Sequence, residues 1–363
     1  MLGKITLDIP PSPGNPRNSE GAMLRRKDGS ILFVYSHFPG SEAADDSTAD
    51  LHAMVSNDEG EHFSPLGLVV SHEETQAKNV MSVSLLRMED GSIGLFYLER
   101  KSESDMRMIL RRSADEGRTW SQPSVCMPYP GHYVVNNDRV VRLASGRIYL
   151  PCALHRRVVC DDGSVYFDSR SEFVGVYSDD DGHTWHEGPG KCVLAPAGAS
   201  KTGMQEPGVV EMGAGVLWGW ARTDLGRQYE TFSMDGGETW TPASPSAFTG
   251  PISALSMKHL PDGTLLAVYN PIPLYNGRPV HVNGVWTGGR TPLSLVRLRG
   301  HARGELQPTA IEDDPGSGYC YISLFLANDG VLLSYCAGGL GDGACLNRLR
   351  VRKIRYEELP APV

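Results

Sequence analysis

Six places along this 363-residue chain set proton-transferring, anion-binding or hydroxyl-binding side chains at a recurring position. They are Arg17 with Glu20, Asn79, the run Asn136-Asn137-Asp138-Arg139, the pair Gln205-Glu206, Ser253, and Tyr319 with Tyr321. Most lie 7 to 11 residues ahead of a small turn, the turns being Asp28-Gly29, Asp90-Gly91, Ser145-Gly146, Gly213-Ala214-Gly215, Asp262-Gly263 and Asp329-Gly330. Carboxyl and phenol groups exchange protons, guanidinium groups hold anions, and amides hold hydroxyls. If the six segments are equivalent strands about a common axis, their polar ends converge on one opening, where a ligand site belongs. The run Asn136–Arg139, preceded by His132, either binds hydroxyl groups there or braces neighbouring strands. Asn79 and Ser253 read as braces, and His155 as a residue of the rim.

The elements that must position these residues are short strands. Each turn is flanked by apolar alternation, as in Ile31 to Tyr35 and Leu265 to Tyr269. A second repeat confirms the modular plan. Ser178 to Trp185 reads Ser-Asp-Asp-Asp-Gly-His-Thr-Trp, Ser113 to Trp120 and Ser233 to Trp240 keep its Ser, Asp, Gly, Thr and Trp, and Ser56 to Phe63 is a weaker copy with Phe63 in the Trp position. The copies start 57, 65 and 55 residues apart, and such a period is read as a repeat architecture before anything else. In each, the Asp accepts backbone N–H bonds in a tight turn, the Gly supplies a positive φ, and the aromatic ring plugs the turn into its own unit. Six units of about 60 residues, with no long amphipathic helix and no linker, predict one all-β domain over residues 1–363. Lys4–Ile9 and Arg348–Tyr356 are the candidate ring-closing strands, the latter with Leu349, Val351 and the stem of Lys353 on one face and a solvated arginine face on the other.

Composition narrows the partners. The formal net charge of −9 argues against nucleic acid and anionic membrane surfaces, so an anionic substrate needs a local arginine cluster. The seven cysteines, Cys126, Cys152, Cys160, Cys192, Cys320, Cys336 and Cys345, are odd in number and lack metal-ligand spacing. They read as reduced thiols, with no metal and no cofactor. The first residues form no apolar leader and no run approaches 18 apolar residues, so the expectation is a cytoplasmic protein.

The repeated octapeptide is similar to the Asp box (BNR repeat) of the sialidase, or neuraminidase, superfamily. That resemblance implies a six-bladed β-propeller with the boxes on the outer rim, between the third and fourth strands of a blade. It also implies an enzyme, an exo-α-sialidase that removes terminal α-linked sialic acid from a glycan with retention. The segment Gln205-Glu206-Pro207-Gly208-Val209-Val210-Glu211 resembles the part of these enzymes that holds the glutamate beside the nucleophile. Arg222, 16 residues on, and Arg290 in Gly288-Gly289-Arg290-Thr291-Pro292 match the second and third arginines of the substrate-carboxylate clamp. Tyr321, eight residues before Asp329-Gly330, has the spacing of the nucleophilic tyrosine, and Tyr319, on the same strand face, is its rival. The acid/base aspartate is expected in the loop Pro39–Asp50, where Asp46 is favoured, Asp45 is the alternative, and Asp50 begins the next strand.

Blade 1 departs from the family pattern. Its first strand usually begins Arg-Ile-Pro, and alignment on Asp28-Gly29 puts Ser19 at the arginine position. Arg17, two residues earlier, keeps the strand face and is the candidate for the first clamp arginine. Glu20 introduces a carboxylate where the family has none. By one-residue parity it turns away or braces a neighbouring arginine, as Asp138 also would. Asn137 and Asp138 are candidate sugar-binding residues. The departure leaves other acidic sugars open (Kdn, Kdo or a uronic acid), along with a lyase reaction and a noncatalytic sugar-binding propeller.

Overall fold

Short apolar runs broken by Asp and Gly fold here as antiparallel four-stranded blades, because each turn can supply the positive φ that a tight reversal needs. The computed structural model describes residues 1–102, 105–194, 199–276 and 278–363. Blade 1 orders Arg17–Arg25, Ile31–Phe38, Asp50–Ser56 and Ser64–Val70. Blade 2 orders Asn79–Arg87, Ile93–Ser102, Asp105–Ser113 and Ser124–Val125. Blade 3 has an interrupted first strand, His132–Val134 and Val141–Arg142, then Ile148–Val159, Val165–Ser178 and His186–Cys192. Blade 4 runs Gln205–Gly213, Val216–Arg222, Arg227–Ser233 and Ser244–Thr249. Blade 5 runs Ser256–His259, Leu265–Tyr269, Leu293–Leu298 and Thr309–Glu312. Blade 6 runs Cys320–Leu326, Gly330–Cys336 and Leu349–Arg355, and its fourth strand is Lys4–Ile9 from the other end of the chain. The architecture is the expected all-β, six-bladed propeller, closed by the two strands proposed for that role.

The closing strand differs from expectation in one respect. Its arginine face is not freely solvated: Arg352 is buried and Arg348 and Arg350 are half-buried. Arg350 and Arg352 reach Glu312 Oε1 at 2.8 and 3.0 Å, and the Tyr335 hydroxyl donates to the same oxygen at 2.6 Å. Apolar alternation marks this strand's position but is blind to a carboxylate on the neighbouring blade that pairs the second face.

The four octapeptides lie between third and fourth strands. In blade 3, Ser178 Oγ donates to Asp180 Oδ1 at 2.8 Å and accepts from Gly182 N at 2.7 Å, while Thr184 donates to both Asp180 oxygens at 2.8 and 2.6 Å. In the weak copy His62 takes the threonine's place, with Nδ1 2.7 Å from Asp58 Oδ2. In the third and fourth copies the tryptophan also reaches the preceding blade, while Phe63 of the weak copy packs on Phe33 of its own. Trp185 of blade 3 meets Phe96 of blade 2, and Trp240 of blade 4 packs at 4.7 Å on Phe173 of blade 3. These turns are therefore rivets between blades.

The innermost strands carry the feature that matters for function. Four of them break register near their start, between Ser19 and Gly21, Met81 and Ser84, Gln205 and Gly208, and Cys320 and Ser323. At each break a residue other than glycine has positive φ: Glu20 (29°), Ser82 (58°), Glu206 (45°) and Tyr321 (56°). An extra residue in one strand is a β-bulge, which re-aims a side chain at the cost of roughly 1–2 kcal/mol of backbone strain. The four bulges aim their side chains into one cavity.

The rivets generate a stability prediction. Gly237 has φ 92° and a Cβ there would strike the Tyr149 ring of blade 3, whereas Gly263 has φ 83° with nothing within 4 Å. Gly263→Ala should cost about 1 kcal/mol from backbone strain alone. Gly237→Ala should cost about 3 kcal/mol because overpacking adds to it. Denaturant unfolding of both variants reads the difference, and equal losses would contradict the rivet.

Candidate active site

The bulged residues Glu20, Ser82, Glu206 and Tyr321 line a cavity of about 200 Å³ together with Asp45, Asn136, Arg222, His132 and His155. A roomier hollow of about 580 Å³ lies at the turn end of blades 2 to 5. Its Lys258 Nζ is already taken by Asp138 Oδ1 and the Leu324 carbonyl, both at 2.7 Å, and it holds none of the candidate catalytic residues.

At the centre of the smaller cavity the Tyr321 hydroxyl donates to Glu206 Oε1 at 3.1 Å. Arg222 Nη1 lies 2.8 Å from Glu206 Oε2, and its Nε and Nη2 are held by Gln205 Oε1 at 3.1 and 2.9 Å. The Arg222–Glu206 contact is an ion pair without hydrogen-bond alignment, so both atoms lack a hydrogen-bond partner among the described residues. Burial and the Glu206 charge push the Tyr321 phenol well above its ordinary pKa, while Arg222 and Arg290 pull it back. A phenol in that position is a poor nucleophile until its proton is taken, and a carboxylate able to accept it is already in contact.

Arg17 is fully buried beside Phe38, its guanidinium carbon 4.4 Å from the ring centroid. Its Nη1 donates to Asp45 Oδ1 at 2.6 Å and to the Ala43 carbonyl at 3.1 Å, and its Nη2 lies 3.6 Å from Glu20 Oε1. Partial desolvation opposes the charge of the solvent-facing Asp45, yet Arg17, Arg290 and Arg222 outweigh it and hold the carboxyl below its ordinary pKa. All three arginines expected to form the clamp therefore act on one carboxylate. Glu20 goes the other way: burial raises it to about 7 in spite of Arg17 and a hydrogen bond from Ser82.

Arg290, 4% exposed, donates to Cys320 Sγ at 3.0 Å and the Ile252 carbonyl at 3.1 Å, and packs between the Trp286 and Tyr321 rings at 5.0 and 5.4 Å. Burial alone would raise the Cys320 thiol, but hydrogen bonds from Cys336 and Cys345 and the Arg290 charge take it well below its ordinary value. The Nε atoms of Arg17 and Arg290 and the Nδ2 of Asn136 have no hydrogen-bond partner among the described residues. Unpaired buried donors of this kind are costly unless a ligand uses them.

The cavity thus gathers Tyr321, Glu206, Arg222, Glu20 and Asp45, with Arg17 and Arg290 behind it. Other candidates lie elsewhere. Asp46 pairs with Lys78 at 3.1 Å, whereas Asp45 lines the cavity and accepts from Arg17, so the loop aspartate of the pocket is Asp45, contrary to the preference for Asp46. Asn137 is a brace, its Nδ2 donating to the carbonyls of Gly21 at 3.0 Å and Tyr321 at 3.1 Å. Asp138 turns to the far mouth. Tyr319 lies in the core against Tyr335, with burial raising its phenol to about 12, and is no rival. Its exclusion and the inward turn of Glu20 have one cause, since a bulge between residues breaks the parity on which both readings rested. Ser82 and Asn136 were missed as pocket residues. Asn136 stood in a polar run that pointed to it, whereas Ser82 carries no signal in sequence. His155, at the rim as expected, is lowered to about 4 by burial and stays neutral at pH 7.

A family model described as a BNR repeat-like domain matches residues 68–333. The chain belongs to the BNR-repeat sialidase superfamily. Over 263 residues, 66% of this chain, it is 25% identical to a Macrobdella decora protein named anhydrosialidase, spanning 31% of that protein's length. Its fold is similar to that of a Hadza microbial sialidase, with a TM-score of 0.71 and 16% identity over 95% of this chain and 66% of the other. It is equally similar to a Dyadobacter fermentans protein of unknown function, with a TM-score of 0.71 and 18% identity over 97% and 99% of the two chains.

Glu20 makes the superfamily pocket pH-sensitive in this chain. Its folded pKa of about 7 lies above its ordinary value of 4.5, so the folded state keeps a proton that the unfolded chain releases between those values. Stability from this group is complete below pH 4.5 and is lost as pH rises to 7. Urea unfolding should show wild type losing about 3 kcal/mol relative to Glu20→Gln across that window, and parallel curves would contradict it.

Proposed function

We propose that this chain is a retaining exo-α-sialidase acting on terminal α-linked sialic acids. The observation that carries the reading is the buried Tyr321–Glu206 hydrogen bond of 3.1 Å inside a ring of three arginines. The anomeric carbon of a sialic acid bears a carboxylate. A carboxylate nucleophile would approach it against like charge, and a neutral phenol does not, which is why sialidases depart from the two-carboxylate rule for retaining glycosidases. Glu206 takes the phenolic proton as Tyr321 attacks, and Arg222 steadies Glu206 for that task. Arg17, Arg222 and Arg290 clamp the substrate carboxylate through charge-assisted bonds in a site that excludes water. Asp45 is ionised on Arg17 in the free protein; once a substrate carboxylate takes over the arginine charge its pKa rises, so it takes a proton from solvent, passes it to the leaving oxygen and later activates water.

Glu20 favours one second reading. A carboxyl beside the clamp suits a related acidic sugar, such as Kdn, Kdo or a uronic acid, better than a purely cationic pocket would. A panel of fluorogenic glycosides separates the two, since turnover confined to N-acetylneuraminic acid would exclude the second.

Tyr321→Phe should lower kcat on an aryl sialoside by about a thousandfold or more with an unchanged unfolding curve. Near-normal turnover would remove Tyr321 from catalysis. Arg17→Lys keeps the charge and loses the planar fork, so KM should rise by roughly ten- to a hundredfold, or about 1.5–3 kcal/mol. Unchanged kinetics would take Arg17 out of the clamp.

A further inference from the structure

The mechanism above leaves one pocket carboxyl without a task. Glu20 sits on the first strand of blade 1, turned inward by its bulge and 3% exposed. Its Oε2 accepts from Ser82 Oγ at 2.6 Å. Among the described residues its Oε1 accepts no hydrogen bond; it lies 3.6 Å from Arg17 Nη2 and belongs to a side chain that lines the cavity. Arg17 Nη1 is occupied by Asp45 and Ala43. Arg17 Nη2 also donates to Ser19 Oγ at 3.3 Å, and the guanidinium is buried behind the cavity wall, so a ligand carboxylate drawn toward it meets Glu20 and Asp45, which line the cavity, first. Two carboxylates crowded onto one buried cation cannot both stay ionised without a large penalty.

We propose that Glu20 is a specificity residue that gates the pocket by its protonation state, donating a hydrogen bond to a ligand carboxylate beside Arg17 when protonated and repelling that ligand when ionised. The assignment rests on reading the pocket as a site for an acidic sugar. No bond is made or broken. The proton comes from solvent on binding and returns to it on release.

The groups that face Glu20 place this gate in the physiological range. Burial, Asp45 from the loop and Glu206 from blade 4 favour the proton, and they outweigh Arg17 on its own strand and Ser82 on blade 2. Tyr321 on blade 6 presents a neutral phenol, and Cys336, the thiol packed against Ser19 on the same strand as Glu20, is raised by burial. Arg100 on blade 2, Arg222 on blade 4 and His132 on blade 3 line the same cavity. A bound anion raises the Glu20 pKa further, and linkage then requires that affinity fall as pH rises.

Calorimetric titration with the glycal 2-deoxy-2,3-didehydro-N-acetylneuraminic acid, in buffers of differing ionisation enthalpy, tests the gate directly. For wild type, Kd should weaken about thirtyfold between pH 6 and pH 8.5, with proton uptake per ligand rising from about one half at pH 7 toward one at pH 8.5. In Glu20→Gln, which keeps a neutral donor, affinity should be independent of pH and the uptake should vanish. Ser82→Ala loses a bond that favours the carboxylate, so its transition should move to higher pH, and it serves as the informative variant if Glu20→Gln does not fold. A wild-type Kd that does not change with pH would overturn the proposal, as would the same uptake persisting in Glu20→Gln, which assigns the proton to another group of the pocket such as Asp45. Absence of wild-type binding at every pH would overturn the acidic-sugar reading itself, and this gate with it.

Discussion

The structure depends on a constraint of backbone geometry. Extended strands alternate their side chains, so an ordinary inner strand offers the central channel only every second residue. Four bulges relax that rule and bring Glu20, Ser82, Glu206 and Tyr321 to one point from blades 1, 2, 4 and 6. Each holds a residue other than glycine at positive φ, a conformation that persists only where the surrounding sheet over-determines it. The rigid blades, riveted to one another by the Asp-box turns, are what make those four strained positions sustainable.

Charge compensation follows from the same geometry. Three arginines near one cavity would repel one another strongly in a medium of low dielectric constant. Here Arg17 is countered by Asp45 and Glu20, Arg222 by Glu206, and Arg290 by the Cys320 sulfur. The consequence is a pocket poised for an anion without carrying a large excess of positive charge, in a chain of net charge −9. The buried cysteine group behind Tyr321 also changes how the seven cysteines read. All are unpaired, and three of them meet beside the clamp.

The repeat, the six turns and the closing strands were legible because they are set by local periodicity and by turn residues whose φ requirements appear in the sequence. Glu206, Arg222, Arg290 and Tyr321 were legible through short motifs. The side chains that sequence misplaced share a different physical origin. Tyr319 and Glu20 were judged by strand parity, which a bulge reverses. Asp45 and Asp46 are adjacent in an irregular loop, and only tertiary contacts with Arg17 and Lys78 tell them apart. Arg352 was assigned to solvent because its partner, Glu312, lies 40 residues away on another blade. Long-range pairing and register breaks leave no mark in a single chain's pattern.

The central claim is that the Tyr321 phenol, activated by Glu206, is the nucleophile of this pocket. It is tested most directly by trapping the covalent intermediate. A sialosyl fluoride with a second fluorine beside the anomeric carbon destabilises the oxocarbenium-like transition state and slows release of the bound sugar. Intact-mass measurement followed by peptide mapping should find one sialosyl adduct per chain, on the Tyr321 oxygen, and none in Tyr321→Phe. An adduct on another residue, or catalytic turnover of the probe in Tyr321→Phe, would contradict the account.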